Sequence, residues 1–264
     1  MDKEQISQIS RIPRQNFLKL LGLACINLIP GINTLNNELF LEVPIKIPPS
    51  LMLHSKDLSQ LPNLIPLIVN SGYEATTYEQ YYKKLLNGEK PTTPLLISID
   101  DIGITYMNPA FKRIIEIMDK ARMVGTLGIV TRGERNEAKT DIWKYLAEKQ
   151  KNGWELAIHT EDHTSLPFLT DRELRFQIKE TYEEIANATG KSPNSLILPY
   201  GNVNSKLGGT DRRIFDVCKE LGIWWVVGIP GGKQISGSPP YFAGRVGPGR
   251  TEQITMEYLA NSFD

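Results

Sequence analysis

The sequence predicts an α/β fold in which strands and helices alternate, closed as a barrel or laid open as a doubly wound sheet. Short apolar runs of strand length, each followed by a segment of helical period, recur along the chain to give at least six β-α units. Polar residues stand where successive strands end, which favours a barrel with its site at the strand C-termini. The 264 residues, 41% of them hydrophobic, suffice for one sizeable core or one domain with a short extension.

Residues 1–32 read as an export signal or membrane-anchoring leader. Arg11, Arg14 and Lys19 precede an apolar run from Leu20 to Ile29 that is too short to span a bilayer comfortably. Arg14-Gln15-Asn16-Phe17-Leu18-Lys19 resembles a twin-arginine signal with glutamine for the second arginine. Gly22-Leu23-Ala24-Cys25 resembles a lipobox with glycine for the leading leucine. Such a leader implies an extracytoplasmic protein, secreted, periplasmic or membrane-anchored; the alternative is an amphipathic helix packed on the domain. Residues 33–49 form a linker and lead-in, since Pro44, Pro48 and Pro49 oppose a helix. Residues 50–264 are the folded domain.

Within that domain, 50–54 is a buried strand ending at His54. A helix over 58–71, a turn at Gly72, a short strand and a helix over 78–87 ended by Gly88 follow. Leu95-Leu96-Ile97-Ser98-Ile99 is a strand closed by Asp100-Asp101. Residues 108–122 place Phe111, Ile114, Ile115 and Met118 on one helical stripe, so Met118 belongs to the core. Strands over 125–130, 155–158, 195–198 and 223–228 alternate with helices over 141–152, 171–190 and 211–221. Trp143, Trp154, Trp224, Trp225, Tyr200 and Tyr241 offer flat rings for stacking on a ligand, although core positions suit most of them.

Thirty basic and thirty acidic residues cancel, so the charge balance implies no nucleic-acid partner, and nothing implies a protein partner. Cys25 and Cys218 are the only cysteines, and no disulfide framework follows.

The stretch W-E-L-A-I-H-T-E-D-H, residues 154–163, holds two of the chain's three histidines. His159 and His163 follow a buried strand at a spacing that a helical or tight turn would bring onto one side, as two-histidine metal motifs require. Two imidazoles are half of a tetrahedral zinc site, and a catalytic metal needs a further ligand and an open position. Asp100 and Asp101, adjacent acids at a strand end, are poor structural choices unless something binds them. One can ligate the metal while the other accepts a proton.

The succession L-M-L-H-S, S-G-Y-E-A-T-T-Y, L-L-I-S-I-D-D-I-G, W-E-L-A-I-H-T-E-D-H and L-I-L-P-Y-G resembles the polysaccharide deacetylase family, with its NodB homology domain (carbohydrate esterase family four), over roughly residues 50–245. The resemblance implies a distorted (β/α)7 barrel of the NodB type. It implies hydrolysis of N-acetyl groups from N-acetylglucosamine-type glycans, with acetate released. Asp100 would be the general base, and Asp101, His159 and His163 the ligands of a divalent metal, usually Zn2+, with Co2+ or Ni2+ as alternatives. Pro199, Tyr200 and Gly201 would bind substrate, the Tyr200 backbone N–H serving the oxyanion.

Three departures from the family pattern stand out. No histidine follows His163, so His54 is the remaining general acid, as in the circularly permuted poly-N-acetylglucosamine deacetylase-like subgroup. Leu198 occupies the place of the motif arginine, and Arg245 in F-A-G-R-V is either its replacement, orienting Asp100, or a solvent-exposed loop residue. Ile102 stands where glycine is usual, so the backbone there should differ. Two rivals remain: a metal-dependent amidohydrolase of a small non-sugar amide, and a carbohydrate-binding homologue with impaired catalysis.

Overall fold

The computed structural model describes residues 32–35, 38–41, 47–132, 137–205, 209–229, 240–249 and 252–261. The expected leader lies outside them except for its last residue, Ile32. That residue opens β1 (Ile32–Leu35), which pairs antiparallel with β2 (Glu38–Leu41) of the expected linker as a small hairpin. Residues 47–49 run without helix into the strand that starts at Ser50, and 42–46 lie outside the described residues.

The domain is a nearly closed barrel of parallel strands. Along the chain run β3 (Ser50–Leu53), α1 (Leu61–Asn70), β4 (Glu74–Thr76), α2 (Tyr78–Leu86), β5 (Pro94–Gly103), α3 (Pro109–Lys120) and β6 (Thr126–Val130). They are followed by α4 (Glu137–Lys151), β7 (Glu155–Ile158), α5 (Asp171–Thr189), β8 (Ser195–Ile197), α6 (Arg212–Glu220), β9 (Trp225–Gly228), β10 (Tyr241–Gly244) and α7 (Glu252–Asn261). The sheet order is β10-β9-β8-β7-β6-β5-β3, with β4 pairing the start of β5 beside β3. A single parallel bridge closes the ring, Leu51 to Val246. Met52 N–H donates to Val246 O at 2.8 Å and Val246 N–H to Ser50 O at 2.9 Å. Helices cover the outside, so the central strands β5 to β9 are largely buried on both faces, which is why they read as continuous apolar runs.

Helix boundaries follow local chemistry. Thr77, Asn108, Thr170 and Asp211 each accept a backbone N–H at a helix start, and Gly190 ends α5 in the left-handed conformation. Phe111, Ile114, Ile115 and Met118 are the buried stripe of α3.

Alternate strand residues serve two cores. Leu95, Ile97, Ile99, Leu127, Ile129, Leu156 and Ile158 pack outward against the helices. Leu96, Ala157, Ile197, Trp225, Val227, Tyr241 and Ala243 belong to a second cluster that also takes in Tyr78, Tyr81, Tyr82 and Trp224. The tryptophans and Tyr241 are therefore core, and Tyr82 lies within 4.8 Å of Trp224 and 5.9 Å of Tyr241, ring centre to ring centre. The same cluster's lower end holds buried Glu155, whose carboxylate accepts the Glu79 N–H and the hydroxyls of Thr126 and Ser195. Two residues further up each strand the side chains become small or polar, at Ser98, Gly128 and Ala157. Beyond these lies the site.

The seventh strand of the ring, β10, and the last helix, α7, are elements that the sequence pattern does not announce. Another departure is β5, expected to end at the two aspartates, which instead runs past both to Gly103.

Candidate metal centre and active site

Adjacent residues in a regular strand point to opposite faces. Asp100 and Asp101 escape this because β5 carries an irregularity against β6, where the register passes from Ile99↔Leu127 to Ile102↔Ile129. One extra residue on β5 is the mark of a bulge, a device that re-aims side chains. Asp101 takes a left-handed backbone there, with φ of 66°. Asp100 is buried and Asp101 exposed. Ile102, where the family pattern has glycine, is fully buried in the outer core.

His159 leaves the end of β7 with its N–H on Ile129 O at 2.9 Å. Its Nδ1 lies 2.9 Å from Ile197 O, a contact that commits this nitrogen as donor and leaves Nε2 facing the site, 3.1 Å from Asp101 Oδ1. The segment to His163 is not helical. Thr160 and His163 both adopt positive φ, 68° and 63°, and fold it into a tight turn. Gln177 of α5 secures that turn by accepting the N–H groups of Glu161 and Asp162 at 3.0 and 3.2 Å. The result brings His163 Nε2 to 3.0 Å from Asp101 Oδ1, with the imidazole centres 4.9 Å apart.

Asp101, His159 and His163 thus offer three ligand atoms within 4.8 Å of one another, a set that could hold a metal ion. One carboxylate and two imidazoles, one of them oriented by a backbone carbonyl, is a donor set that suits zinc and its neighbours. Burial pushes the Asp101 carboxyl up, but hydrogen bonds to His159 and His163 and their charges outweigh it and hold the group well below the usual carboxylate range.

Asp100 has a different neighbour. Arg245, just beyond β10, is buried, and its Nη1 donates to both Asp100 oxygens at 2.6 and 2.8 Å and to Ser98 Oγ at 2.7 Å. Nε reaches Gly228 O at 3.3 Å, while Nη2 finds no hydrogen-bond partner in the protein. The exposed-loop reading of Arg245 is therefore wrong: the closing bridge at Val246 draws this residue inward beside Asp100. Gly128 lies beside Asp100 and His159, and a Cβ there would touch Asp100 Cα and His159 Cγ, each at 3.4 Å.

His54 ends β3 on the far side, its Nε2 4.0 Å from Asp101 Oδ2. Asp57 accepts its backbone N–H at 2.8 Å and stands 3.7 Å from its Nδ1. Asp57 is the strongest influence raising the imidazole above its ordinary value; partial burial opposes the rise, and Asp100 and Asp101 add to it. After β8 comes the turn Pro199–Gly201, with Pro199 and Gly201 buried and Tyr200 exposed at φ of 59°. The Tyr200 ring meets His163 edge-on at 4.8 Å. Asp57 and Ser98 escaped the sequence reading. Ser98 had a signal, a polar residue two places before Asp100 and so on its strand face; Asp57, three places after His54, resembles an ordinary turn acid.

Residues 87–223 match the family model described as polysaccharide deacetylase. The chain belongs to the polysaccharide deacetylase family. The matched span holds Asp100, Asp101, His159, His163 and the Pro199–Gly201 turn, while His54 and Arg245 lie outside it. No curated protein matches the deacetylase by sequence. Solved structures share its fold. The deacetylase PplD of Streptococcus pyogenes, in complex with acetate, superposes with a TM-score of 0.62 at 15% identity, covering 82% of this chain and 99% of that one. IcaB from Ammonifex degensii gives 0.60 at 15% identity, over 84% of this chain and 99% of the other. The deacetylase domain of BpsB from Bordetella bronchiseptica gives 0.57 at 17%, over 76% and 96%. The deacetylase is an enzyme of this (β/α)7 barrel class.

Proposed function

We propose that this deacetylase removes N-acetyl groups from an N-acetylglucosamine-type glycan, with a divalent metal, zinc first among the candidates, held by Asp101, His159 and His163. The observation that carries the reading is the division of labour between the two aspartates. Asp101 faces two imidazoles, while Asp100, one residue away, is turned from them and gripped by Arg245. A carboxylate engaged with both imidazoles suits a ligand, and one held by a buried guanidinium suits a base of fixed position.

When bound, the metal polarises the amide carbonyl and lowers the pKa of water at the site. Asp100 accepts the proton of the attacking water, its oxygens held by Arg245, whose Nη1 also donates to Ser98 Oγ. The Tyr200 backbone N–H donates to the oxyanion of the tetrahedral intermediate, a donor of the kind worth about 3 kcal/mol. His54, its pKa raised chiefly by Asp57, gives its proton to the departing amine, because an amide nitrogen leaves poorly without one. The C–N bond breaks, and acetate and a free amino sugar result. Pro199 and Gly201 shape the substrate-facing turn around Tyr200. A substrate of this class fits an extracytoplasmic enzyme; no helix among the described residues is long and apolar enough to cross a membrane.

Acetate release from acetylated chito-oligomers, peptidoglycan and poly-N-acetylglucosamine, with and without chelator, tests the proposal. The expected result is chelator-sensitive release from at least one of the three, abolished in Asp100→Asn while zinc still binds. Full activity of Asp100→Asn, or release indifferent to chelator after metal is stripped, overturns it.

A further inference from the structure

The two imidazoles at the metal centre are held in different ways. His159 is fixed through its own ring, with Nδ1 2.9 Å from Ile197 O, and its backbone continues β7 with the N–H on Ile129 O at 2.9 Å. His163 meets Asp101 through Nε2 and the rings of His159 and Tyr200 edge-on, but among the described residues no hydrogen bond orients its Nδ1. The place of that ring is therefore set by the backbone that delivers it.

That backbone is strained. Thr160 is β-branched and fully buried, yet it stands at φ of 68°, and its hydroxyl finds no hydrogen-bond partner among the described residues. His163 stands at φ of 63°. Left-handed backbone disfavours side chains, branched ones most, and persists only where the surroundings impose it. Glycine would relieve the strain at either place, and glycine stands at neither.

The surroundings impose it through hydrogen bonds. Arg132, just beyond β6, donates its N–H to Glu161 O at 2.6 Å, and Thr164 Oγ1 donates to Asp162 Oδ1 within the turn itself. From outside the turn comes Gln177, whose Oε1 accepts the N–H groups of both Glu161 and Asp162, at 3.0 and 3.2 Å. One atom thus secures two of the N–H groups that lie between the histidines. Gln177 has little freedom of its own. It is buried on α5 beside Leu174, Ile178 and Thr181, all fully buried, and the Thr181 hydroxyl ties the helix to that of Thr131 at the end of β6, 3.1 Å away.

Resting on the metal reading above, we propose that Gln177 is a positioning residue for the metal centre: it holds the His159–His163 turn in its left-handed form before any ion arrives, so that the His163 donor is already in place. Without that acceptor the turn relaxes toward unstrained backbone. The apparent Kd for the ion then rises by the inverse of the fraction of molecules that keep the turn. His159 keeps the Ile197 carbonyl, so the loss falls on His163.

The test is the zinc affinity of the full chain, measured by competition with a chromophoric chelator, for the wild type, Gln177→Met, Gln177→Asn and Gln177→Glu. Methionine removes the acceptor at similar volume, and asparagine withdraws it by a methylene; each should raise the zinc Kd about ten- to a hundredfold. Two such variants are made so that one that fails to fold, as read by thermal unfolding in chelator, leaves the other. Glutamate keeps an acceptor oxygen at the same reach, whether ionised or protonated, and its Kd should stay well inside that range. Methionine and asparagine variants that keep wild-type affinity overturn the inference. So does a glutamate variant that loses as much as they do, since packing rather than the acceptor is then at fault. Either result leaves the deacetylase reading intact. A wild type that binds no zinc removes the metal reading, and this role of Gln177 with it.

Discussion

Replacing Arg245 by methionine removes one half of a buried ion pair and keeps most of the side-chain volume. The side chains of Arg245 and Asp100 are 0% and 3% exposed, and one guanidinium nitrogen serves both carboxylate oxygens and Ser98. Cutting such a pair on one side leaves an uncompensated buried charge, at a cost of about 3–5 kcal/mol. For a domain of this size each kcal/mol moves Tm by about 2–4 °C, so a fall of roughly 10 °C is expected. Urea unfolding in the presence of chelator is the appropriate assay, because a cation at Asp101 would partly offset the orphaned carboxylate. The double variant Arg245→Met/Asp100→Asn supplies the second measurement: with both charges gone it should be more stable than Arg245→Met alone. If Arg245→Met unfolds within about 1 kcal/mol of the wild type, or the double variant loses the sum of the single losses, then the pair does not hold Asp100 as argued.

Other perturbations test the remaining parts of the site. Zinc at a hundred times its dissociation constant should add about 2.7 kcal/mol to wild-type stability, and His159→Ala should lose most of that gain, measured as the ligand-dependent shift of Tm. Asp57, more than burial opposes it, raises the His54 pKa above its ordinary value, so with His54 as the proposed acid the alkaline limb of the rate profile should lie above that of an ordinary imidazole. Asp57→Asn should move that limb toward lower pH in the zinc-loaded enzyme, and an unmoved limb would detach Asp57 from His54. Gly201→Ala should lose about 2–4 kcal/mol, since φ is +62° there and a new Cβ would come within 2.8 Å of Ile229 Cβ; thermal unfolding reads it directly.

The alternation of strands and helices was legible because strands buried on both faces read as apolar runs and helices as 3.6-period stripes. The expected (β/α)7 barrel is what the chain forms. What escaped was less regular. β10 spans Tyr241–Gly244, and its sequence Y-F-A-G lacks the branched residues of its partner β9, W-V-V-G. Its partner β9 supplies the stabilising context, residue for residue from Trp225 to Gly228, and no local pattern reports that. The bulge at Asp100 and Asp101 was equally hidden, since a strand ending at polar residues and a strand bulging through them look alike in sequence. The histidine pair was visible as a spacing, but that spacing is satisfied by two left-handed residues rather than by a helical turn.

The placement of Arg245 shows why the site could not be read from its motifs alone. The motif position before Pro199 holds Leu198, which is buried in the outer core and has no access to Asp100. An arginine reaching Asp100 must come from a strand whose inward face is adjacent to β5 across the barrel, and the closing bridge between Leu51 and Val246 provides one. Because β3 pairs β5 and Val246 pairs β3, the residue before Val246 is carried to within 2.6 Å of Asp100 although 145 positions separate them. The charge that positions Asp100 is thus tied to closure of the ring. Any change that opens the seam between β3 and β10 should release Arg245 and unpair Asp100 together, and stability and turnover should fall in step. Substituting Val246 by proline, which removes the N–H donated to Ser50 O, is the direct way to see whether they do.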